Sequence, residues 1–323
     1  MQSFEYASPK SLQEALSLLG ASWSDANILA GGTDLLSLLK EYIHTPKRVV
    51  NIKAIPELRG IEKTSAGLRI GAAVTLSELM ANAEVRSSYP SLIQAAQGVR
   101  SMQIRNMGTI GGDLCQRPRC WYFRNGFGLL ALKDGKSLVP GGENKYHAIF
   151  PSPPAYFVSA SSFGPPLIAL GARVKIASAS GTREVPVEKF FLAPKDPGMR
   201  EVDLKPNEIL TEILIPAAAG VKNATYEVRE RESLDWPLAT ASVALTMKGN
   251  QVASARIVMG HVGPTPVVAA QAAKVVAGKT INESVAEQAA QAAVAGAKPL
   301  SRNAYKVQLA RVAVKRALLA AAT

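Results

Sequence analysis

Two short glycine clusters, far apart in the chain, constrain it more than any other feature. The first is Gly31-Gly32, inside Ala30-Gly-Gly-Thr-Asp34. The second is Gly108, Gly111 and Gly112, inside the run from Gln103 to Asp113. Glycine accepts φ > 0 and lets a backbone approach another group closely. Each cluster therefore marks a turn, and two of them in similar settings suggest turns built for contact. The first lies between a short apolar run, Ala26 to Ala30, and Leu35, Leu36, Leu38 and Leu39 at helical spacing. That order reads as strand, glycine turn, helix. Free N–H groups and the positive dipole end at a helix start form a natural phosphate site. Neither cluster matches G-x-G-x-x-G, nor a phosphate loop ending in G-K-[ST].

The second cluster is followed at once by Asp113 and by both cysteines of the chain, Cys115 and Cys120. The densest group of basic residues is here too, with Arg100, Arg105, Arg117, Arg119 and Arg124. The other basic residues are scattered, although the net charge is +12. Nucleic-acid binding calls for a basic helix or interleaved aromatics, and only 6% of residues are aromatic, so no nucleic-acid partner is expected. A length of 323 residues is long for one core and implies two or three domains. Two cysteines do not make a disulfide framework and suit a reducing compartment. The opening MQSFEYASPK carries Glu5 and no apolar h-region, so no signal peptide is expected. No apolar run approaches the ~20 residues of a membrane span. The chain reads as soluble and cytoplasmic, or as periplasmic if a partner subunit carries it out.

Apolar residues at 12, 15, 16 and 19 give a helical face, with Ser11 and Glu14 as a cap. Strands are expected at Ala26–Ala30, Arg48–Lys53 and Leu68–Val74, and Thr75-Leu-Ser-Glu78 is a capping box opening a helix. Pro90–Val99 reads as helix. Residues 124–155 hold three turn signals and read as an insertion-like loop. Strand character returns over Ile168–Ile176, Arg183–Val187 and Ile209–Ile215, where Pro216 stops it. Beyond a composition shift near Ala217–Asn223 come strands at Thr225–Arg229, Ala239–Met247 and Ala253–Met259. The last two are joined by the hairpin signal Lys248-Gly249-Asn250. Alanine-rich helices follow at Pro266–Ala277, Glu283–Ala295 and Asn303–Ala321.

Candidates for direct chemistry are few. His44, His147 and His261 have no suggestive neighbours in sequence, and no G-x-S-x-G or H-E-x-x-H signature appears. Cys115 and Cys120 cannot close a tetrahedral metal site alone, and they read as buried or loop thiols. Binding turns without an acid/base constellation suit a carrier whose cofactor performs the chemistry.

Ala30-Gly-Gly-Thr-Asp34 with Thr109-Ile-Gly-Gly112 resembles the FAD-binding (medium) subunit of the molybdenum hydroxylases, the xanthine dehydrogenase, carbon monoxide dehydrogenase and aldehyde oxidoreductase families. The run QIRNMGTIGGDLCQRPRCWYFR is similar to the branch that includes periplasmic aldehyde oxidoreductases and 4-hydroxybenzoyl-CoA reductase. The likeness spans nearly the whole chain, including Pro299 to Lys306. It implies an α+β protein: a two-part FAD-binding domain of the vanillyl-alcohol-oxidase (PCMH) type over 1–216, divided near 53, and a C-terminal α+β domain over 217–323. It implies that Ile28, Leu29, Ala30, Gly31, Gly32, Thr33, Asp34 and Leu35 cradle the FAD diphosphate. Thr109, Gly111, Gly112, Asp113 and Gln116 complete that cradle. Thr75 is expected to position the second loop, and Leu210 to contact the flavin ring.

The chain departs from the family pattern in three places. Relatives in this branch often carry four cysteines and a [4Fe-4S] cluster. Here only Cys115 and Cys120 stand in this region, so no cluster and no metal is expected. Ser162 stands where relatives usually have an acid on the adenosine side. Glu227 follows Tyr226 where a lysine is common, so Arg229 or Arg231 must supply positive charge near the flavin. The implied function is electron transfer, with a molybdopterin-binding large subunit and a [2Fe-2S] small subunit as partners and no catalytic side chain needed here. A self-contained flavin oxidoreductase of the same fold and a non-enzymatic scaffold are the alternatives.

Overall fold

A computed structural model describes residues 1–232 and 235–323 and contains three main sheets. Glu5–Ala7, Arg48–Asn51 and Ala26–Leu29 form the first, parallel and in that spatial order. Parallel neighbours need crossovers, supplied here by the helices Leu12–Ser17 and Leu35–Lys40. Ser11 caps the former by accepting from the Glu14 amide.

The second sheet is antiparallel, in the order Ile61–Thr64, Gly67–Gly71, Ile209–Pro216, Arg173–Ser178, Gly181–Pro186. Its inner face is apolar: Leu68, Ile70, Val174, Ile176, Ile213 and Ile215 are buried against helices at 76–81, 90–98 and 164–169. The capping box at Thr75 and Glu78 is formed in both directions. One stretch differs from its sequence reading. Ile168 and Ala169 end a helix, Gly164–Ala169, and the strand starts only at Arg173. All six residues of that helix are buried. An apolar run buried on every side has no periodicity to separate helix from strand. Pro165 and Pro166 at its first turn and Gly171 at φ +72° after its end mark its two ends.

The third sheet is antiparallel over Val221–Val228, Ala239–Lys248, Gln251–Gly260 and Val267–Val268. The helices Ala270–Val276, Glu283–Val294 and Tyr305–Ala322 pack against it. Ala286, Ala289, Ala290 and Ala293 meet Ala310, Ala313, Ala317 and Ala321 in one core. Small side chains let these helices approach closely. Val267–Val268, read as the start of a helix, instead pairs with Val258 and Met259.

Residues 124–155 carry one short hairpin, Leu132–Lys133 with Lys136–Ser137, and are otherwise irregular. They are nonetheless tied down. The Asn144 amide donates to the Val139 carbonyl and the Ser301 hydroxyl, while its oxygen accepts from the Arg302 amide. Asn303 donates to the His147 and Ala148 carbonyls. Among the described residues, no helix is long and apolar enough to cross a membrane.

Candidate functional site

The strand Ala26–Leu29 runs into the first glycine cluster, and the chain turns at Gly32, which has φ +74°. Gly31 needs its glycine for space. A Cβ there would lie 2.0 Å from the Met107 carbonyl oxygen and 2.8 Å from the Gly108 Cα. The two glycine clusters therefore meet backbone to backbone.

The second cluster is not the turn its glycines suggest. Gly108 caps the helix Met102–Met107, and Gly111 and Gly112 lie inside the helix Ile110–Cys115 without positive φ. Crowding explains them. A Cβ on Gly111 would meet the Ala72 Cβ at 2.7 Å, and one on Gly112 would meet Thr109 Oγ1 at 2.9 Å. Thr109 caps this helix by accepting from the Gly112 amide at 3.0 Å. Thr75 bridges to Thr109, the Leu76 amide donates to the Gly108 carbonyl at 3.0 Å, and the Ile110 amide donates to the Val74 carbonyl at 3.0 Å.

Between the clusters opens a cavity of about 360 Å³. Ile28, Ala30, Gly31, Gly32, Thr33, Asp34 and Leu35 line one side, and Thr109, Gly111, Gly112, Asp113 and Gln116 another. Ser162, Leu210 and Arg229 join them. Leu29 and Thr75 do not reach the wall: the Leu29 side chain lies against Gly32, and the Thr75 hydroxyl is taken up by Glu78. Arg231 is also outside it, 78% exposed and paired with Asp235.

Asp34 braces the site. Its carboxylate accepts from the Arg117 amide at 2.8 Å, Arg119 Nη1 at 2.6 Å and Arg124 Nη2 at 2.8 Å. Burial raises its pKa, but Arg119, Arg124 and the Arg117 amide outweigh burial and hold it below the usual range. Behind it the buried Arg117 guanidinium pairs with Glu201 at 2.6 Å. His44 donates through Nδ1 to Asn27 Oδ1 at 3.0 Å and accepts at Nε2 from Arg117 at 3.4 Å. Burial, then Arg117 and Arg200, push this imidazole down to about 3, so it is neutral. Arg200 stacks on Trp23, 4.1 Å from the ring centre. Four arginines at 117, 119, 124 and 200 thus share two carboxylates, Asp34 and Glu201, and leave this side positive. The sequence hinted at Arg117 and Arg119 through their basic cluster. Nothing in it marked Trp23, Asn27, His44 or Arg200, because the fold gathers them from separate segments.

Asp113 faces the other way. Its carboxylate accepts from the Ser161 hydroxyl, from the Phe163 amide at 3.0 Å and from Gln116 at 2.8 Å. It thereby fixes the turn that carries Ser162. Burial raises its pKa to about 6 against those hydrogen bonds. Glu227 and Arg229 form a nearly dry pair, 9% and 4% exposed, and burial pushes Glu227 up to about 7. Cys115 lines the cavity with its thiol pushed up to about 12 by burial, so it is no nucleophile.

A dinucleotide diphosphate needs close backbone approach, N–H and O–H donors, and positive surroundings. Here a Cβ on Gly31 or Gly111 would collide with backbone, Thr33 and Thr109 carry hydroxyls at the wall, and the arginine side is cationic. Arg119 Nε and Arg229 Nε are buried without a hydrogen-bond partner. The residues present fit FAD.

Comparison with known proteins agrees. Residues 2–218 match the family model of the FAD binding domain in molybdopterin dehydrogenase. Residues 224–321 match that of the CO dehydrogenase flavoprotein C-terminal domain. The chain is 33% identical over 322 residues to the carbon monoxide dehydrogenase medium chain of Hydrogenophaga pseudoflava, covering 98% of this chain and 96% of the relative. It is 29% identical to the aldehyde oxidoreductase FAD-binding subunit of Escherichia coli, covering 96% of each. Among solved structures, quinoline 2-oxidoreductase from Pseudomonas putida superposes with a TM-score of 0.77 at 28% identity, over 99% of this chain and 97% of that one. FAD is the cofactor of this fold, and the chain belongs to the family of FAD-binding medium subunits of the molybdenum hydroxylases.

Proposed function

We propose that this chain is the electron-transfer subunit of its complex. It takes electrons from a [2Fe-2S] small subunit and passes them to an external acceptor, while a molybdopterin-binding large subunit oxidises the substrate. The observation that supports this most is the meeting of the two glycine clusters across one cavity. Among the described residues, its walls carry no acid/base pair set against an open substrate position. Bound FAD supplies one- and two-electron chemistry. The amides and hydroxyls of residues 31–33 and 109–113 would hold its diphosphate, with Asp34 and Arg119 bracing the loops. Leu210 would contact the flavin ring, and Arg229 would set the charge nearby. Residues 1–216 would form the FAD-binding domain, in parts 1–53 and 54–216, and 217–323 the C-terminal domain. The cytoplasm is the assigned compartment, with the periplasm as the alternative by co-export with a partner.

The test is co-expression with the neighbouring genes, followed by purification. The expected product is a complex of three kinds of chain with a flavin absorption band, while the isolated chain binds FAD and sustains no turnover of an aldehyde or purine. Sustained turnover by the isolated chain would overturn the subunit reading.

A further inference from the structure

Glu227 lies in the strand Val221–Val228, and Arg229 follows its end. Alternate side chains of a strand share a face, so Glu227 stands with Asn223 and Thr225. That face meets the helix Pro90–Gly98. The Ser91 amide donates to Asn223 Oδ1 at 3.0 Å, and Asn223 Nδ2 donates to the Ser88 carbonyl at 3.1 Å. Tyr226 turns the other way, against Arg316 of the last helix. Gly98, at the end of its helix, leaves room for the pair. A Cβ there would lie 2.1 Å from Glu227 Oε2 and 2.7 Å from Arg229 Nη2.

Arg229 lines the glycine-walled cavity and Glu227 does not, so the carboxylate acts from behind the guanidinium. The pair is only half satisfied: Glu227 Oε1 and Arg229 Nε are buried without a partner. A dry ion pair adds little stability over an apolar pair of the same volume, and charges placed in this way concentrate at functional sites. Among the described residues, the other charged groups that face Glu227 are Arg100, past the end of the helix 90–98, and Asp113, from the helix Ile110–Cys115. Arg100 is half exposed and paired with Glu232. The helix 90–98 itself carries no titratable side chain. The neighbouring strand sets Thr240 opposite Glu227, with His261 beyond it, pushed down to about 3 by burial and so neutral. Arg229 is thus the one charge that touches Glu227, and the proton on Glu227 decides whether the charge of Arg229 is cancelled. Burial holds Glu227 at about 7, so that proton comes and goes near neutrality.

We propose that Glu227 is a positioning residue for the flavin: its carboxylate cancels the charge that Arg229 presents to the cavity, and the flavin reduction potential rises when Glu227 is protonated. A reduced cofactor carries added electron charge, so a bare guanidinium beside it favours reduction and a compensated one does not. The inference rests on the electron-transfer reading, in which FAD fills the cavity with Arg229 near its flavin, and deepens it by naming what sets the potential there.

The full chain is loaded with FAD, loading is checked by visible absorption, and the flavin is titrated against a reference dye at about pH 9 and about pH 5.5, either side of the Glu227 value. At the alkaline end Glu227→Gln should favour reduction about tenfold over wild type, roughly 30 mV for a two-electron couple. At the acid end the two should agree. Glu227→Met, which fills the space beside Gly98 without a charge, should match Glu227→Gln. Arg229→Gln should lower the potential at the acid end, where Glu227 is neutral. If Arg229→Gln loads FAD and leaves the potential unmoved, the flavin does not lie beside this pair and both readings fall. If Arg229→Gln shifts it while the Glu227 variants match wild type at the alkaline end, or differ from it equally at both ends, the role of Glu227 alone is overturned.

Discussion

Replacing Gly31 by alanine tests the central contact of the site. The added Cβ would stand 2.0 Å from the Met107 carbonyl oxygen, 2.6 Å from its carbon and 2.8 Å from the Gly108 Cα. Non-bonded heavy atoms rest at about 3.5 Å or more, so the clusters must part by roughly 1 Å or more. All three neighbours are backbone, which cannot swing aside as a side-chain end does. Overpacking of this kind costs about 1–3 kcal/mol, which lowers the melting temperature by roughly 1.5–4.5 °C in a chain of this size. The same parting carries the loop amides off the diphosphate. A hydrogen bond to a charged phosphate oxygen is worth about 1.5–3 kcal/mol, so breaking one should lower FAD affinity roughly 10- to 100-fold. The assay is FAD titration of the apoprotein by flavin fluorescence, alongside thermal melts. Gly141→Ala is the control, since nothing lies within 4 Å of its added carbon. Gly31→Ala with wild-type melting and FAD affinity would refute the account of two clusters gripping one diphosphate.

Asp34→Asn should lower the melting temperature and weaken FAD binding, because Arg119 and Arg124 lose their shared carboxylate. This contribution is fully present above the unfolded pKa and is lost as pH falls through the lower folded value, so the variant's deficit should vanish only in strong acid in pH-dependent melts. Glu227 has the opposite sign. Burial holds it at about 7 against an ordinary 4.5, so between those values the folded apoprotein keeps a proton the unfolded chain has lost. Stability therefore declines on the order of 3 kcal/mol as pH rises through that window, and Glu227→Gln should flatten the decline in denaturant titrations. Both thiols, pushed up by burial, should react slowly with a disulfide reagent at pH 8 and rapidly once the chain is unfolded, and a fast native burst would contradict their placement.

The fold was legible where patterns are local. The capping box at Thr75 and the Lys248-Gly249-Asn250 hairpin declare themselves in a few residues, and the structure contains both. Patterns failed where burial is complete. Gly164–Ala169 has no polar face and so no readable period, and Val267–Val268 is too short to compete with the alanine-rich run after it. The glycine clusters were legible as a site, but the reason for each glycine was not. Only Gly32 needs positive φ, whereas Gly31, Gly111 and Gly112 answer to neighbours distant in sequence or crowded against them by the fold. His44 was invisible for the same reason. Its partners Asn27 and Arg117 come from either side of it in the chain, and a lone histidine has no pattern until they arrive.

That distance is also why the chain lacks a one-piece dinucleotide fingerprint. In G-x-G-x-x-G a single turn supplies the bend, the close approach and the helix start together. Here the bend falls to Gly32, the close approach to Gly31 and Gly111, and a capped helix start to Thr109. Splitting the task relaxes each segment but adds a requirement, since the two halves must hold a fixed separation before any ligand arrives. Two links between the halves maintain it, Gly31 against Met107 and Asp34 to the Arg117 amide, while Thr75 beside Thr109 anchors the second half to the helix at 76–81. The first uses backbone on both sides, and the second sets one carboxylate on a main-chain amide, so the halves depend on chain path and on the single side chain of Asp34. A site built in this way tolerates varied side chains around the cavity and is sensitive at the few positions where an added carbon would force the halves apart.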